Sequence, residues 1–163
     1  MQTNLFDTIF DQMGHVRSQT LELVEGVTEE LADRIPEGFR NNIRWQLGHV
    51  YLATEAFSLM QLNLPLQLPE GFMERYAYST TPQDEAAKSF PVLTIPELVS
   101  MLKEQPDRIR ETFPISRLNE SVSPLTTSTG LDLLTPEQSI RYCLYHEGLH
   151  FGTINAYKKI LSR

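Results

Sequence analysis

The sequence predicts an all-α protein: a four-helix bundle with a long connection between its second and third helices. Four segments of the 163-residue chain repeat apolar residues at three- and four-residue steps, the spacing that places them on one helix face. No segment alternates apolar and polar residues convincingly enough to predict a strand. Two antiparallel helix pairs joined by a long connection are typical of a four-helix bundle, so we treat residues 1–163 as one such domain.

The first helix is predicted over about residues 5–32, because Pro36 and Gly38 follow and end it. Its core-facing stripe consists of Phe6, Ile9, Met13, Val16, Thr20, Leu23 and Val27. His15 lies beside this stripe, so we interpret it as a surface residue.

The second helix is predicted over about residues 42–62, and Pro65 prevents it from continuing. One face of this helix carries Trp45, His49, Leu52, Ala53, Ala56 and Met60. The connection that follows, residues 62–94, is about 30 residues long and contains four prolines. Connections of this length are usually functional or mobile, and we expect a short helix at residues 72–78 within it.

The third helix is predicted to begin at Thr94, because Thr94 and Glu97 form a capping box and Pro96 lies in the first turn. Its apolar residues are Leu98, Met101, Leu102, Ile109 and Phe113. Pro106 interrupts this pattern, so we expect a kink or a break in the helix at that residue.

The fourth helix is predicted from Thr135 to about Leu161. Thr135 and Gln138 form a second capping box, and Pro136 occupies the first helical position. The link before this helix, residues 114–134, is rich in Ser, Thr and Asn. Within it, the Thr-Gly-Leu stretch at residues 129–131 favours a turn or a small hairpin.

Composition and charge exclude several classes of protein. The formal net charge is −7, which argues against nucleic acid or an anionic membrane as a partner. No apolar run approaches the roughly 20 residues needed to span a bilayer, and the N-terminus lacks the features of a secretory signal. A single cysteine, Cys143, excludes an internal disulfide framework. We therefore expect a cytoplasmic protein.

The main chemical motif is HEGLH at residues 146–150, an H-E-x-x-H pattern. His146 and His150 are four residues apart, so they lie one turn apart near the middle of the core-facing arc of the last helix. His49 points into the same core from the second helix. Unpaired polar groups cost roughly 1–3 kcal/mol each inside a core, and one shared divalent metal ion satisfies three imidazole nitrogens at once. Three protein ligands also leave open positions, as in catalytic sites.

Two other metal enzymes share part of this pattern and are disfavoured. A zinc protease needs a third ligand downstream, but residues 151–163 contain no His, Asp or Glu, and no strands are predicted near the helix. A di-iron carboxylate bundle needs a second Glu-x-x-His motif, which the chain lacks. Glu147 is our candidate catalytic residue. We expect it at the edge of the inward arc, where it orients a metal-bound water or a ligand imidazole, or else is partly solvated.

Small residues lie close to the proposed ligands. Gly48, Gly148 and Gly152 lie inside predicted helices at a cost of roughly 1 kcal/mol each relative to alanine, and they let a backbone or a substrate approach the metal. Cys143 lies one turn before His146. It is either a fourth ligand or redox-active thiol, or a small buried apolar residue, and we favour the second interpretation.

Two motifs, WQLGH at residues 45–49 and HEGLHFG at residues 146–152, resemble the DinB-like superfamily of metal-binding four-helix bundles. That family has one metal histidine on its second helix and an H-x-x-x-H-x-G pair on its fourth. The resemblance therefore assigns His49, His146 and His150 as metal ligands, and by helix order it covers most of the chain. The family often has Gln after the last glycine of the motif, where this chain has Thr153.

The resemblance also implies a chemistry. Characterised relatives are metal-dependent transferases or isomerases that use a low-molecular-weight thiol such as bacillithiol, mycothiol or glutathione, and members commonly form homodimers. For this chain it implies a divalent ion (zinc, nickel, iron or manganese) and a thiol that attacks a small electrophilic substrate. Arg44, Tyr142 and Tyr157 are candidates for binding the cofactor, with the long connection as a lid.

Three hypotheses follow from these patterns. The first is a metal-dependent thiol S-transferase that acts on a small molecule. The second is a non-enzymatic metal-binding module or sensor whose long connection changes its order with metal. The third is a dimeric bundle whose histidines fill the core without a metal.

Overall fold

The computed structural model describes residues 4–162, most of which are helical, so the predicted all-α class is confirmed. In chain order the helices are α1 (Leu5–Leu23), α2 (Glu29–Asp33), α3 (Ile43–Leu59), α4 (Phe72–Tyr76), α5 (Glu85–Lys88), α6 (Ile95–Thr112) and α7 (Pro136–Leu161). Two short strands, β1 (Leu125–Thr126) and β2 (Asp132–Leu133), pair antiparallel, and 3₁₀ turns lie at Met60–Leu62 and Ile115–Arg117. Within residues 4–162, no helix is both long enough and apolar enough to cross a membrane.

The four long helices of this region, α1, α3, α6 and α7, contact one another in a ring. α3 packs against α6 and α7, and α1 packs against the same two helices. Each long helix thus has two long neighbours, which is the order that a four-helix bundle requires. The bundle itself stays our interpretation of this packing.

Two apolar clusters fill the interior. One includes Val24, Ile43, Leu52, Leu102 and Ile154, and the other includes Phe6, Met13, Leu59, Ile109 and Cys143. Along each long helix a buried polar residue lies between the two clusters: Arg17 on α1, Thr54 on α3, Gln105 on α6 and Glu147 on α7. We call these four residues the polar layer.

The first helix is shorter than predicted. α1 ends at Leu23 rather than near residue 32, because the chain turns at Gly26, whose φ is +73°. A φ in the left-handed region does not fit a continuing helix and favours glycine. Thr28 then caps the separate helix α2, where its side chain accepts a hydrogen bond from the N–H of Leu31.

Polar caps fix where the other long helices begin. Asn42 accepts a hydrogen bond from the N–H three residues further on in α3. The predicted capping box of Thr94 and Glu97 is confirmed, with both hydrogen bonds present. Only half of the second box forms, because Thr135 accepts from the N–H of Gln138 but the Gln138 side chain accepts from the N–H of residue 134.

Pro106 does not break α6, contrary to one of the outcomes predicted for it. The helix runs from Ile95 to Thr112 with the proline inside. Because proline has no N–H, the carbonyl oxygen of Leu102 loses its usual helical donor. The guanidinium of Arg17 replaces that donor, with Nη1 2.6 Å from the Leu102 oxygen.

The connections carry the smaller elements. The helix predicted at residues 72–78 is present as α4, Phe72–Tyr76. The predicted turn at residues 129–131 joins β1 to β2, and Gly130 adopts a φ of +86° within it. Strands of two residues are too short to produce an alternating pattern, which explains why the sequence did not predict them.

Candidate metal centre

Three histidine side chains meet between α3 and α7. One ring nitrogen each of His49, His146 and His150 lies within 4.8 Å of those of the other two. The ring centroids are 5.1 Å apart for His49 and His146 and 4.9 Å apart for His49 and His150. The two rings on α7 are 4.5 Å apart. Nitrogen ligands about 2.1 Å from a zinc ion lie about 3–4 Å from each other. Small rotations of the side chains would therefore let one ion contact all three nitrogens.

His49 is oriented by the end of α4. Its Nδ1 lies 2.7 Å from the backbone carbonyl oxygen of Tyr76. Because a carbonyl oxygen can only accept, Nδ1 carries the proton and Nε2 keeps its lone pair. Trp45 stacks on the ring at a centroid distance of 4.6 Å and an angle of 8°. The lone pair that a metal ion needs is thus fixed in place.

Gly48 allows Tyr76 to come this close. A Cβ at position 48 would lie 2.4 Å from the Tyr76 ring, a distance that no side chain can occupy. The predicted close approach of a neighbour to a small residue therefore occurs at Gly48. It does not occur at Gly148 or Gly152, where a Cβ would meet no atom of the described chain within 4 Å.

His150 is oriented in the same way by Gln46. Its Nδ1 lies 2.5 Å from the Gln46 side-chain oxygen, so Nδ1 again donates and Nε2 is left for a ligand. Gln46 is buried. Sequence reasoning missed this role, although Gln46 and His49 are three residues apart on one helix face, and that spacing was the signal that pointed to it.

His146 is held by packing. Its ring is 5.6 Å from the ring of Phe57, in an edge-on arrangement, and 6.4 Å from the ring of Tyr142. Within residues 4–162 neither of its ring nitrogens has a hydrogen-bond partner. Either nitrogen, according to the tautomer, can therefore serve as the metal ligand.

Burial keeps the three imidazoles neutral. Burial, followed by the neighbouring His49, lowers the pKa of His146 to about 4. Burial, followed by the other two histidines, lowers the pKa of His150 to about 2. The pKa of His49 is also lowered by burial. Since imidazole binds metal only in its neutral form, all three donors are ready to bind at neutral pH, and the donor set fits a divalent ion.

An apolar cavity of about 620 Å³ lies beside two of these ligands, His49 and His146. Its walls come from α3, from the connection between α3 and α6, from strand β1 and the turn after it, and from α7. Apolar side chains that line it include Leu52, Phe57, Leu66, Leu68, Met73 and Leu125. The volume lies in the range of sites for small molecules.

The structure places Tyr142 in this site and Tyr157 outside it. Tyr142 lines the cavity beside His146 and packs edge-on against Phe57, with centroids 5.0 Å apart. Tyr157 lies further along α7, buried, and packs against the ring of Phe39 at 4.9 Å. The lining of the cavity does not include Tyr157.

Arg44 is also outside the cavity. Its guanidinium forms ion pairs with Glu29 and Asp33 of α2, both at 2.6 Å, and donates to the backbone oxygen of Leu93 at 2.6 Å. These bonds join α2 and the start of α6 to α3. The predicted cofactor-binding role of Arg44 is untested, but this position gives it a structural role.

Glu147 lies at the centre of the buried arc of α7 rather than at its edge, which corrects the predicted orientation. It is 2% exposed, whereas His146 and His150 are partly exposed at the border of the arc. Leu149, between the two histidines in sequence, is 50% exposed. Glu147 is not one of the residues that gather around the common point of the histidines.

Glu147 instead belongs to the polar layer. Its two carboxylate oxygens accept hydrogen bonds from Nε and Nη2 of Arg17, at 2.9 and 3.0 Å. Arg17 also donates to Gln105 at 3.1 Å and to Thr54 at 3.3 Å, so one guanidinium joins all four long helices. Sequence reasoning missed Arg17. Its place four residues after Met13, on the apolar stripe of α1, was the available signal.

Cys143 and His15 agree with the roles favoured for them. Cys143 is buried, and burial raises the pKa of its thiol to about 12, so the group stays protonated and unreactive. It is not among the residues that gather with the three histidines. His15 is exposed on α1.

Comparisons with known proteins agree with this architecture. The family model described as the DinB superfamily matches residues 12–154. Among solved structures, the crystal structure of a conserved protein from Enterococcus faecalis is similar, with a TM-score of 0.69, 11% sequence identity and 98% of each chain covered. At that identity the likeness shows a shared fold. A search of curated proteins finds no match.

Proposed function

The chain belongs to the DinB superfamily, and from that premise we propose that it is a metal-dependent enzyme acting on a small molecule. The observation that carries the proposal is the convergence of His49, His146 and His150, with ring nitrogens within 4.8 Å of one another. Three imidazole ligands leave coordination positions open, which is the arrangement of catalytic rather than structural metal sites.

The residues around the ligands support this proposal. The Tyr76 carbonyl and the Gln46 side-chain oxygen each accept a hydrogen bond from a ligand histidine, which fixes the tautomer in which Nε2 binds metal. Trp45 covers one face of His49, and the apolar cavity lies beside His49 and His146. A ligand in the cavity would thus lie next to two of the metal ligands.

A bound divalent ion, which we propose to be zinc, nickel, iron or manganese, would supply the acidity that converts a thiol into a thiolate near neutral pH. The proposed activity is S-transferase-like. A low-molecular-weight thiol such as bacillithiol would lose its proton to solvent, and its sulfur would bond to a carbon of a small electrophile while a leaving group such as chloride departs. Tyr142 lines the cavity, which supports a proposed contact with that electrophile. Glu147 contributes indirectly. Its ion pair with Arg17 would help to hold α7 in the rotation about its axis that the structure shows.

The test compares wild type with His150→Ala. The variant should retain less than one-tenth of the bound metal, measured by elemental analysis, and should lose metal-dependent conjugation of a thiol to chlorodinitrobenzene. The control is His15→Ala, which removes an exposed histidine and should retain both properties. Equal conjugation rates for wild type and His150→Ala would end the enzyme proposal.

A second function, a metal sensor, is favoured by one observation. The residue that orients His49 is Tyr76, which belongs to the connection between α3 and α6. Metal binding would therefore stabilise that connection. Protection of the connection from limited proteolysis by metal, without thiol conjugation, would favour the sensor over the enzyme.

We further propose that the chain is a single domain that works in the cytoplasm as a homodimer. One face of α7 supports the pairing of two copies. Tyr145, Leu149 and Ile160 share that face and are 57%, 50% and 42% exposed. Large apolar side chains exposed together are typical of interaction surfaces, and sedimentation analysis of the chain measures the oligomeric state.

A further inference from the structure

We infer that the cavity beside His49 and His146 binds an uncharged, largely apolar molecule, and that this is the substrate class of the enzyme. The inference rests on the proposed function for the reaction. The binding preference itself follows from the walls of the cavity, so it can be measured without metal and without turnover.

Charge is the first argument. Among the described residues that line the cavity there is no Asp, Glu, Lys or Arg. In the metal-free chain, a carboxylate or an ammonium group that entered the cavity would lose water and gain no partner of opposite charge from its walls, and that loss is costly. An uncharged molecule of the same shape pays no such penalty and buries the same apolar area.

The hydroxyl groups of the cavity are the second argument. Two of them belong to the hairpin and are already used within it. Thr126 Oγ1 donates to the carboxylate of Asp132 at 2.6 Å, and Thr127 Oγ1 accepts from the N–H of Leu131 at 3.0 Å. The other hydroxyls of the lining are those of Tyr78, Ser128 and Tyr142, so a fitting ligand has an apolar body and a few hydrogen-bonding groups.

A neighbouring cavity gives the contrast. A second cavity of about 430 Å³ is lined by Trp45 and Tyr76, and its walls also carry four charged residues: Asp33, Arg44, Arg75 and Lys88. The chain thus places charged side chains around one cavity near the site, while the cavity that touches the histidines has none. The apolar character of the latter is a local property of its walls rather than a consequence of the overall composition.

The experiment uses three ligands of equal chain length: octanamide, octanoate and octylammonium. Isothermal titration calorimetry measures their Kd for the full chain at pH 7.5 in the presence of EDTA, so that no metal ion contributes a charge. Octanamide should bind at least about tenfold more tightly than either ion. Equal or tighter binding of octanoate or octylammonium would overturn the inference.

Two variants locate the binding. Ala56→Phe fills the cavity from α3 and should weaken octanamide binding at least about tenfold, whereas Ala86→Phe, on exposed α5, should leave it unchanged. Unchanged octanamide binding by folded Ala56→Phe would place the ligand elsewhere and overturn the inference.

A variant that introduces a charge keeps the test decisive if Ala56→Phe does not fold. Leu125→Lys adds a cation to the partly exposed hairpin wall and should raise the affinity for octanoate relative to octanamide at least about fivefold. An unchanged ratio would overturn the inference. Selective octanamide binding without thiol conjugation would uphold the binding preference and remove only the enzyme proposal.

Discussion

At the scale of single residues, burial and hydrogen bonding set the state of the three imidazoles. His49 and His150 each donate from Nδ1 to an oxygen atom, and the pKa of His146 falls to about 4 because its ring is buried. The folded chain thus maintains three neutral donors where free histidine would begin to take up protons. Keeping these imidazoles neutral makes the stability of the folded chain depend on pH.

Metal-free protein should therefore lose stability as the pH falls from about 6.5 towards 4. In the unfolded chain an imidazole binds a proton near pH 6.5, whereas in the folded chain His146 does so near pH 4. The unfolded state binds more protons within this window, so acid favours it, by up to about 1.4 kcal/mol per pH unit for each such histidine. Urea unfolding in EDTA at pH 7.5, 6 and 5 measures the slope.

The variant His146→Asn should reduce this slope, because it removes one of the groups responsible. His15→Asn changes an exposed histidine and should keep the slope of wild type. Wild-type and His146→Asn slopes that coincide would show that burial of His146 does not control the acid sensitivity.

Sequence reasoning found the three histidines but not the residues that orient them. The i, i+4 spacing of His146 and His150 and the apolar neighbours of His49 are local patterns. The bond between His150 and Gln46 joins residues 104 positions apart, and the pair of Arg17 and Glu147 spans 130 positions. No local pattern encodes partners so distant in the chain.

At the scale of helices and strands, capping residues made the starts of the helices predictable, whereas a turn that the sequence analysis missed led to an error in the end of α1. The capping residues Asn42, Thr94 and Thr135 begin the long helices near where the sequence placed them. The end of α1 was misplaced because apolar spacing continues past Gly26 into α2. The rotation of α7 was misjudged because its arc was assigned from apolar residues, and Leu149 is exposed while the charged Glu147 is buried.

The two helical glycines Gly48 and Gly148 should respond in opposite directions to replacement by alanine. Gly48→Ala should destabilise the protein by about 1–3 kcal/mol, because its Cβ would collide with the ring of Tyr76. Gly148→Ala should stabilise it by about 0.5–1 kcal/mol, since that position is helical and open. Thermal unfolding of both variants measures the difference.

Metal titration of the same variants adds a second measurement. Gly48→Ala should weaken metal binding, because moving Tyr76 removes the acceptor that orients His49, whereas Gly148→Ala should not change it. Wild-type stability and metal affinity in Gly48→Ala would contradict the role that we assign to this close approach.

At the scale of the whole molecule, the polar layer lies between the two apolar clusters and links the four long helices by hydrogen bonds. Arg17 and Glu147 form a doubly hydrogen-bonded ion pair in which both side chains are almost fully buried. Such pairs add little net stability over apolar side chains of similar size, but removing one partner leaves a buried charge without compensation. The layer therefore favours one arrangement of the four helices over alternatives.

Glu147→Ala should destabilise the protein by about 3–5 kcal/mol, because the guanidinium of Arg17 would remain buried without its carboxylate. The double variant Arg17→Met with Glu147→Leu should recover part of this loss. As a control, Lys88→Ala breaks the exposed pair with Glu85 and should change little. Urea unfolding gives all three values, and a Glu147→Ala variant as stable as wild type would refute the importance of the pair.

The proline inside α6 has a consequence for how the chain assembles. Helices that present similar aliphatic surfaces can slide past each other by one turn at small cost. Here, a slip of α1 along α6 would leave the oxygen of Leu102 without a donor, since Pro106 cannot supply one, and would strand the guanidinium of Arg17 among aliphatic groups. The missing N–H thus favours one register of α1 against α6, the register in which Arg17 reaches both the Leu102 oxygen and Glu147 of α7.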